Sequence, residues 1–153
     1  MRASRTWRRA DLGAREEARR LLALQRASYE VEAELIGFAG LPPLHETLEE
    51  LQRCGEEVWL CEEDGDLAGA VGLRGEGTEL LIARLVVDPR AFRRGIGTAL
   101  VQRALHVAAG RPVRVGTGAR NAPALALYEG MGFRRVAERE PAPGVAYVEL
   151  RRP

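Results

Sequence analysis

Residues 85–100 read Leu85-Val86-Val87-Asp88-Pro89-Arg90-Ala91-Phe92-Arg93-Arg94-Gly95-Ile96-Gly97-Thr98-Ala99-Leu100. An apolar strand runs into a turn that holds two glycines, and helical spacing begins at once. Glycine lets backbone amides approach a ligand with no Cβ in the way. The first turn of a helix leaves its N–H groups unpaired, and the helix dipole favours negative charge there. Together these are the elements of an anion cradle suited to a pyrophosphate. Arg90, Arg93 and Arg94 add positive charge at its lip. Two other phosphate-binding patterns are excluded. The dinucleotide fingerprint needs a third glycine at position 100, which is Leu100. A P-loop needs a lysine, and all 23 basic residues of this chain are arginine.

Outward from this stretch, the spacing predicts a strand at Thr6–Arg9 and a helix from Asp11 to about Tyr29. Gly37–Pro43 breaks the helical pattern, and a second short helix runs from Leu44 to about Cys54. Val58–Cys61 and Leu67–Leu73 flank an Asp64-Gly65 turn and read as a hairpin. Leu80–Val87 is a longer apolar strand, and Gly95–Ala109 is a helix whose stripe is Leu100, Val101, Ala104, Leu105 and Ala108. Arg103 and His106 fall on its other side. A strand at Val113–Thr117, a helix from Asn121 to about Gly130 and two strands at Phe133–Ala137 and Val145–Leu150 complete the order β-α-α-β-β-β-α-β-α-β-β. Helices on a largely hairpin-connected sheet make a mixed α/β layer fold, here one domain over residues 1–153.

A second motif is Asn121-Ala122-Pro123-Ala124-Leu125-Ala126-Leu127-Tyr128-Glu129-Gly130-Met131-Gly132-Phe133. Asn121 suits a helix N-cap, and Pro123 is tolerated in a first turn. Tyr128 lies seven residues on, almost two turns, so both project from one face. Two readings of Tyr128 stand: a core aromatic with its hydroxyl at the edge, or a group facing a ligand.

The two motifs, in this order and about 25 residues apart, resemble the GNAT superfamily of N-acetyltransferases. The likeness covers the whole element pattern and is sharpest over residues 80–133. The matching positions of the second motif are Asn121, Ala124, Leu127, Tyr128, Gly132 and Phe133. The resemblance implies a central, mostly antiparallel, splayed sheet of about six to seven strands flanked by about four helices. It implies acetyl-CoA as cosubstrate, with no metal. The pyrophosphate would lie on Arg93, Arg94, Gly95, Ile96, Gly97 and Thr98, and pantetheine would pair with Leu85, Val86 and Val87. Asn121 and Tyr128 would flank the thiol. Tyr128 is then the expected general acid, and a backbone N–H in the Val86–Val87 region the expected oxyanion donor. Base candidates are Glu32, Glu34, His45 and Glu79, or ordered water. The acceptor site is expected at the first two helices, with Tyr29, Glu32 and Glu34 as contacts.

Two positions depart from the family pattern. The family places Gln or Arg three residues before the first loop glycine, where this chain has Phe92. Reading from Arg94 shifts the same pattern by two, but the step from Pro89 to Gly95 favours the first register. One phosphate contact is then missing, and the backbone donors are unaffected. Ribosomal-protein N-terminal acetyltransferases carry Glu five residues before the Asn; here that residue is Gly116, which argues against that acceptor class.

Charge supports two ligands of opposite sign. Residues 1–78 carry 10 basic and 16 acidic side chains, whereas residues 79–153 carry 13 and 6. Segment 29–66 holds 12 acidic residues against Arg53 alone. A solvated acidic face is the plain alternative. With the resemblance, the acidic segment suits a cationic amine, small molecule or peptide, and the basic half suits polyanionic CoA. A non-catalytic acetyl-CoA-binding sensor or assembly module is the competing class, because a fold match does not establish chemistry. Nucleic-acid binding is not expected, with aromatics at 5% and no basic stripe. No apolar run approaches 18 residues, so no membrane span is expected. Arg2, Arg5, Arg8 and Arg9 imitate the basic start of an export signal. Asp11, Arg15, Glu16 and Glu17 then break up the place where its apolar region would stand, and a cytoplasmic location is expected. Cys54 and Cys61 lack metal-ligand spacing and read as buried free thiols. A homodimer is left open.

Overall fold

The computed structural model describes residues 4–153, so Arg2 lies outside the described residues. Strand β1 (Arg5–Arg9) leads into helix α1 (Arg15–Ile36), a 3-10 turn (Pro42–His45) and helix α2 (Leu48–Gln52). Strands β2 (Glu57–Glu63), β3 (Asp66–Glu76) and β4 (Glu79–Val87) come next. Then come a second 3-10 turn (Pro89–Ala91), α3 (Ile96–Ala108), β5 (Val113–Gly118), α4 (Ala122–Gly130), β6 (Arg134–Ala142) and β7 (Val145–Arg152). One seven-stranded sheet runs β1-β2-β3-β4-β5-β7-β6. Every pairing is antiparallel except β4 with β5. Among the described residues no helix is long and apolar enough to cross a membrane.

Local chemistry sets the joints. The β2–β3 turn has Asp64 and Gly65 both at positive φ, the twist-matched geometry of a two-residue hairpin. Helix α1 ends where Gly37 takes φ 69° and donates its N–H to the Ala33 carbonyl. This helix runs seven residues past its expected end at Tyr29. Its buried set, Ala18, Leu21, Leu22, Gln25, Ala33 and Ile36, keeps helical spacing straight through the acidic stretch. The second helix is shorter than expected. Pro42 and Pro43 hold the chain in a 3-10 turn, and Thr47 opens α2 with a capping box to Glu50. The last two strands run longer than expected because they pair as one hairpin through Ala142 and Val145.

Two apolar layers grip the sheet. On one face Leu100, Val101 and Ala104 of α3 pack with Leu80, Ile82 and Phe133. On the other, Leu21 and Leu24 of α1 pack with Leu51, Leu60 and Val86. Burying each large apolar side chain contributes about 1.5–3 kcal/mol. Helix α3 seats directly on β3 because Gly69 has no Cβ, which would stand 2.8 Å from Ile96 Cγ2. Cys61 is buried, while Cys54 is only half-buried.

The faces of β4 exchange partway along it. Leu73 pairs with Ile82 but Gly72 pairs with Arg84, so Ala83 is an extra residue, a β-bulge. Before it Leu80 and Ile82 face α3; after it Val86 faces α1. The bulge also turns Arg84 inward under α1. Its guanidinium donates to Glu56 Oε1 (2.7 Å), to Glu46 Oε1 (2.7 Å) and to Gln25. The side chains of Arg84 and Glu56 are both buried, and Gly72 leaves the room they occupy.

Burial pushes the Glu46 carboxyl up, and hydrogen bonds from Arg84 and Gln25 outweigh it, so the net shift is downward. A depressed carboxylate adds stability above its unfolded-state value and loses it as pH falls through its folded value. Arg84→Met strands two carboxylates, and unfolding in denaturant should register a loss of about 3–5 kcal/mol at neutral pH. The deficit should shrink in acid, where the wild type loses the Glu46 contribution too.

Candidate active site

Strands β4 and β5 are paired only at Leu80–Val113 and Leu81–Arg114, and beyond that point they part. The gap opens into a cavity of about 1110 Å³, walled by α1, the loop before α3, and the starts of α4 and β7. Asp88 N–H donates to the Ala68 carbonyl, which fixes the alternation along β4. The amides of Val86 and Arg84 therefore serve β3, and those of Leu85 and Val87 point towards the gap. Val87 N–H donates to Ser28 Oγ at 3.2 Å.

At one end of the cavity lies the glycine loop. Arg93 (φ 66°) and Gly95 (φ 77°) both adopt the left-handed region, which folds the backbone so that its amides turn outward. Among the described residues, none of the six amides from Arg93 to Thr98 has an acceptor. They stand at the N-terminus of a 13-residue helix. Arg93, Gly95, Ile96, Gly97 and Thr98 line the cavity. Arg94 does not; its guanidinium turns to Glu63, 3.5 Å away.

In the middle lies a polar cluster. Asn121 caps α4, accepting from Ala124 N–H, and its side-chain amide donates to Thr117 Oγ1 at 3.3 Å. The Thr117 hydroxyl donates to Glu32 Oε1 at 3.1 Å. Burial raises the Glu32 carboxyl above the ordinary range, while Thr117, the Asn121 side chain and the Gly118 amide pull it back without cancelling the rise. All three tyrosines of the chain, Tyr29, Tyr128 and Tyr147, line the same cavity. Burial, and next the Glu32 charge, raises the phenol of each, Tyr147 to about 12. Among the described residues none of the three hydroxyls has a hydrogen-bond partner, yet no buried side-chain polar atom is left unsatisfied. The hydroxyls therefore open onto the cavity.

The structure thus gathers Leu85, Val87, Asn121, Tyr128, Tyr29 and Glu32 around one space with the glycine loop. It does not bring Val86, Arg94 or Glu34 there. The Val86 side chain is fully buried under α1. Glu34 is exposed, because two residues along a helix is more than half a turn and sets it on the far face from Glu32. His45 is exposed with its Nε2 2.7 Å from the Ala39 carbonyl, and Glu79 is paired with Arg151 at 2.8 Å. Neither lines the cavity. Ser28, Thr117 and Tyr147 enter the site without a sequence signal, Thr117 from the end of β5 four residues before Asn121.

Residues 29–133 match the model of the acetyltransferase (GNAT) family. The chain belongs to that family. It is 36% identical over 129 residues to the UPF0157 protein YqkA of Bacillus subtilis, covering 84% of this chain and 38% of that protein. It is 40% identical over 76 residues to the peptidyl-lysine N-acetyltransferase YiaC of Escherichia coli, covering 49% and 48%. The chain thus spans less than half the length of these curated relatives. The ribosomal-protein-S18-alanine N-acetyltransferase of Escherichia coli superposes with a TM-score of 0.79 at 17% identity, over 98% of this chain and 94% of that one, a likeness of fold.

Within this GNAT fold Gly116 has a steric reason. A Cβ there would stand 2.6 Å from Tyr147 Cε1, so the tyrosine ring fills the space a β5 side chain would take. Gly116→Ala should lower stability by about 1–3 kcal/mol through overpacking. A double-mutant cycle with Tyr147→Ala should recover most of that loss, as the clash partner is gone.

Proposed function

We propose that residues 1–153 act as one N-acetyltransferase domain that moves an acetyl group from acetyl-CoA to a primary amine of a cationic acceptor by direct attack. The observation that carries this reading is a single cavity joining three features: a row of unpaired amides at a helix N-terminus, a half-buried carboxylate with no cationic partner, and three open phenols. Such amides suit a pyrophosphate, and the exposed Arg93 adds charge beside them. The parted strands leave the Leu85 amide, and the Val87 amide once it is released from Ser28, to hold an extended amide-bearing arm. Acetyl-CoA, when bound, supplies the thioester and the thiolate leaving group.

Starting from the bound ammonium, transfer forms one C–N bond, breaks one C–S bond and removes two protons from nitrogen, one released to water before attack and one balanced by the proton that ends on sulfur. Glu32 receives the amine proton, since a carboxylate raised by burial binds a proton readily. Tyr128 donates to the departing sulfur, since burial keeps its phenol protonated. The two are coupled. The Glu32 charge is one of the causes that holds the Tyr128 proton on, so protonating Glu32 makes Tyr128 the stronger acid when an acid is needed. Leu85 or Val87 N–H, the latter once released from Ser28, serves the carbonyl oxygen.

Tyr128→Phe keeps the ring against Phe133 and removes only the hydroxyl. Turnover should fall by about 10²–10⁴-fold with little change in KM for acetyl-CoA. A kcat within about threefold of wild type, where chemistry limits the rate, would assign Tyr128 to packing. CoA binding without thiol release on any amine would identify an acetyl-CoA sensor instead.

Gly97→Asp sets a negative charge among the loop amides, and its Cβ meets only the flexible end of Leu127, at 3.2 Å. CoA affinity measured by calorimetry should drop about tenfold or more, with thermal unfolding near wild type.

A further inference from the structure

The acid-rich segment 29–66 suggests a cavity studded with carboxylates, and the folded chain disposes of them differently. Glu30 and Glu34 lie on the exposed side of α1. Glu46 and Glu56 are held by Arg84. Glu149, which does reach the cavity, is 3.0 Å from Arg139 and 3.7 Å from Arg114. Among the described residues Glu32 is the one carboxylate lining the cavity without an arginine partner. Its side-chain donors, the Thr117 hydroxyl and the Asn121 amide, are both neutral.

Thr117 and Asn121 face it from one side, and the wall on the α1 side is apolar and aromatic. Leu35 sits one turn along α1 at the rim and is 42% exposed. The Phe38 ring folds over Gly40, where a Cβ would collide with it, and is turned onto the same cavity. Tyr29, Leu41 and Tyr147 close the remaining sides. One unpaired negative charge beside an apolar wall matches one positive charge on an apolar body. A second ammonium would find no free carboxylate and would be desolvated without compensation.

We infer that the acceptor is a small primary amine with a single positive charge on an apolar, ring-bearing body, its ammonium on Glu32 and its body against Leu35, Phe38 and Tyr147. This rests on the transfer reading above. It separates the acceptor from diamines, which need a second anion, and from lysine in a peptide, whose polar backbone would have to enter or cross the apolar rim.

The test is thiol release from acetyl-CoA by the full chain with three amines at matched concentration: 2-phenylethylamine, 1,4-diaminobutane and a short lysine-containing peptide. The expected kcat/KM for 2-phenylethylamine exceeds both others by about tenfold or more. Leu35→Asp places a second carboxylate one turn from Glu32 at an exposed position, and should narrow or reverse the preference over the diamine. Leu35→Asn, the neutral counterpart, removes the same apolar contact and should narrow the preference clearly less than Leu35→Asp. A diamine or peptide used as well as 2-phenylethylamine overturns this acceptor class and leaves the transfer reading intact. An unchanged diamine ratio in folded Leu35→Asp also overturns it. Absence of thiol release with every amine overturns the transfer reading, and the acceptor inference with it.

Discussion

The separation of β4 from β5 is the constraint on which the rest of the molecule depends. Two adjacent parallel strands pair at two residues and then leave each other. Unpaired strand edges inside a protein are ordinarily costly, since each buried N–H or C=O needs a partner. Here the cost is limited by the Ala83 bulge, which bends β4 away, and by Ser28, whose hydroxyl meets the Val87 amide. The opening is held from both sides by well-packed layers, α3 on β3 and α1 on the far face. On the α3 face one apolar cluster continues from β3 and β4 to β5 and β7, and it holds the two halves of the sheet together beside the opening.

The same bulge settles the electrostatics. An extra residue reverses the alternation, so Arg84 points under α1 when an unbulged strand would send it to the α3 side. There it gathers Glu46 and Glu56, one from each flank of α2, and with Gln25 ties that helix to the sheet. Two of the carboxylates in the acidic segment are thus consumed by structure. The charge left for a ligand is decided as much by where Arg84 points as by where the acids lie.

Much of this was legible in the sequence, and the failures have definite causes. The Arg93–Thr98 loop and the Asn121–Tyr128 helix were readable because their chemistry is local: glycines, an N-cap and helical spacing fall within one short stretch. The hairpin at Asp64-Gly65 was readable for the same reason. Helix α1 was cut short because alternating Glu30, Glu32 and Glu34 interrupt the apolar stripe, whereas Ala33 and Ile36 continue it. Glu32 and Glu34 were both expected as contacts, and the continuing helix sends them to opposite faces, with Glu32 alone on the cavity. A motif names positions and not directions: Glu63 on a distant strand claims the Arg94 guanidinium while the Arg94 amide stays in the unpaired row, and strand parity buries the Val86 side chain. Tyr147 could not be found at all. Its place in the site comes from β5–β7 register, where Thr117 stands opposite Val148 and Gly116 opposite Glu149, pairings fixed only once the sheet exists.

The carboxylates Glu46 and Glu32, both partly withdrawn from water, differ in the sign of their displacement, and the sign separates fold from site. Glu46 is displaced downward: its ionised form is favoured by folding, so its contribution is present above the ordinary carboxylate range and vanishes as pH falls through its lowered value. Glu32 is displaced upward by burial. Its ionisation opposes folding, and stability declines as pH rises from its unfolded-state value to its raised one. A group that weakens the fold at neutral pH is not kept in place by the fold's own energetics. In the transfer we propose, a cation entering the cavity removes the penalty, because it supplies the charge partner that Arg84 supplies to Glu46. The energy released when an ammonium meets Glu32 is therefore the counterpart of the stability the empty site forgoes. With Glu32 as the proposed base, moving the amine proton onto it discharges the same penalty by another route, so in that reading binding and deprotonation draw on one source.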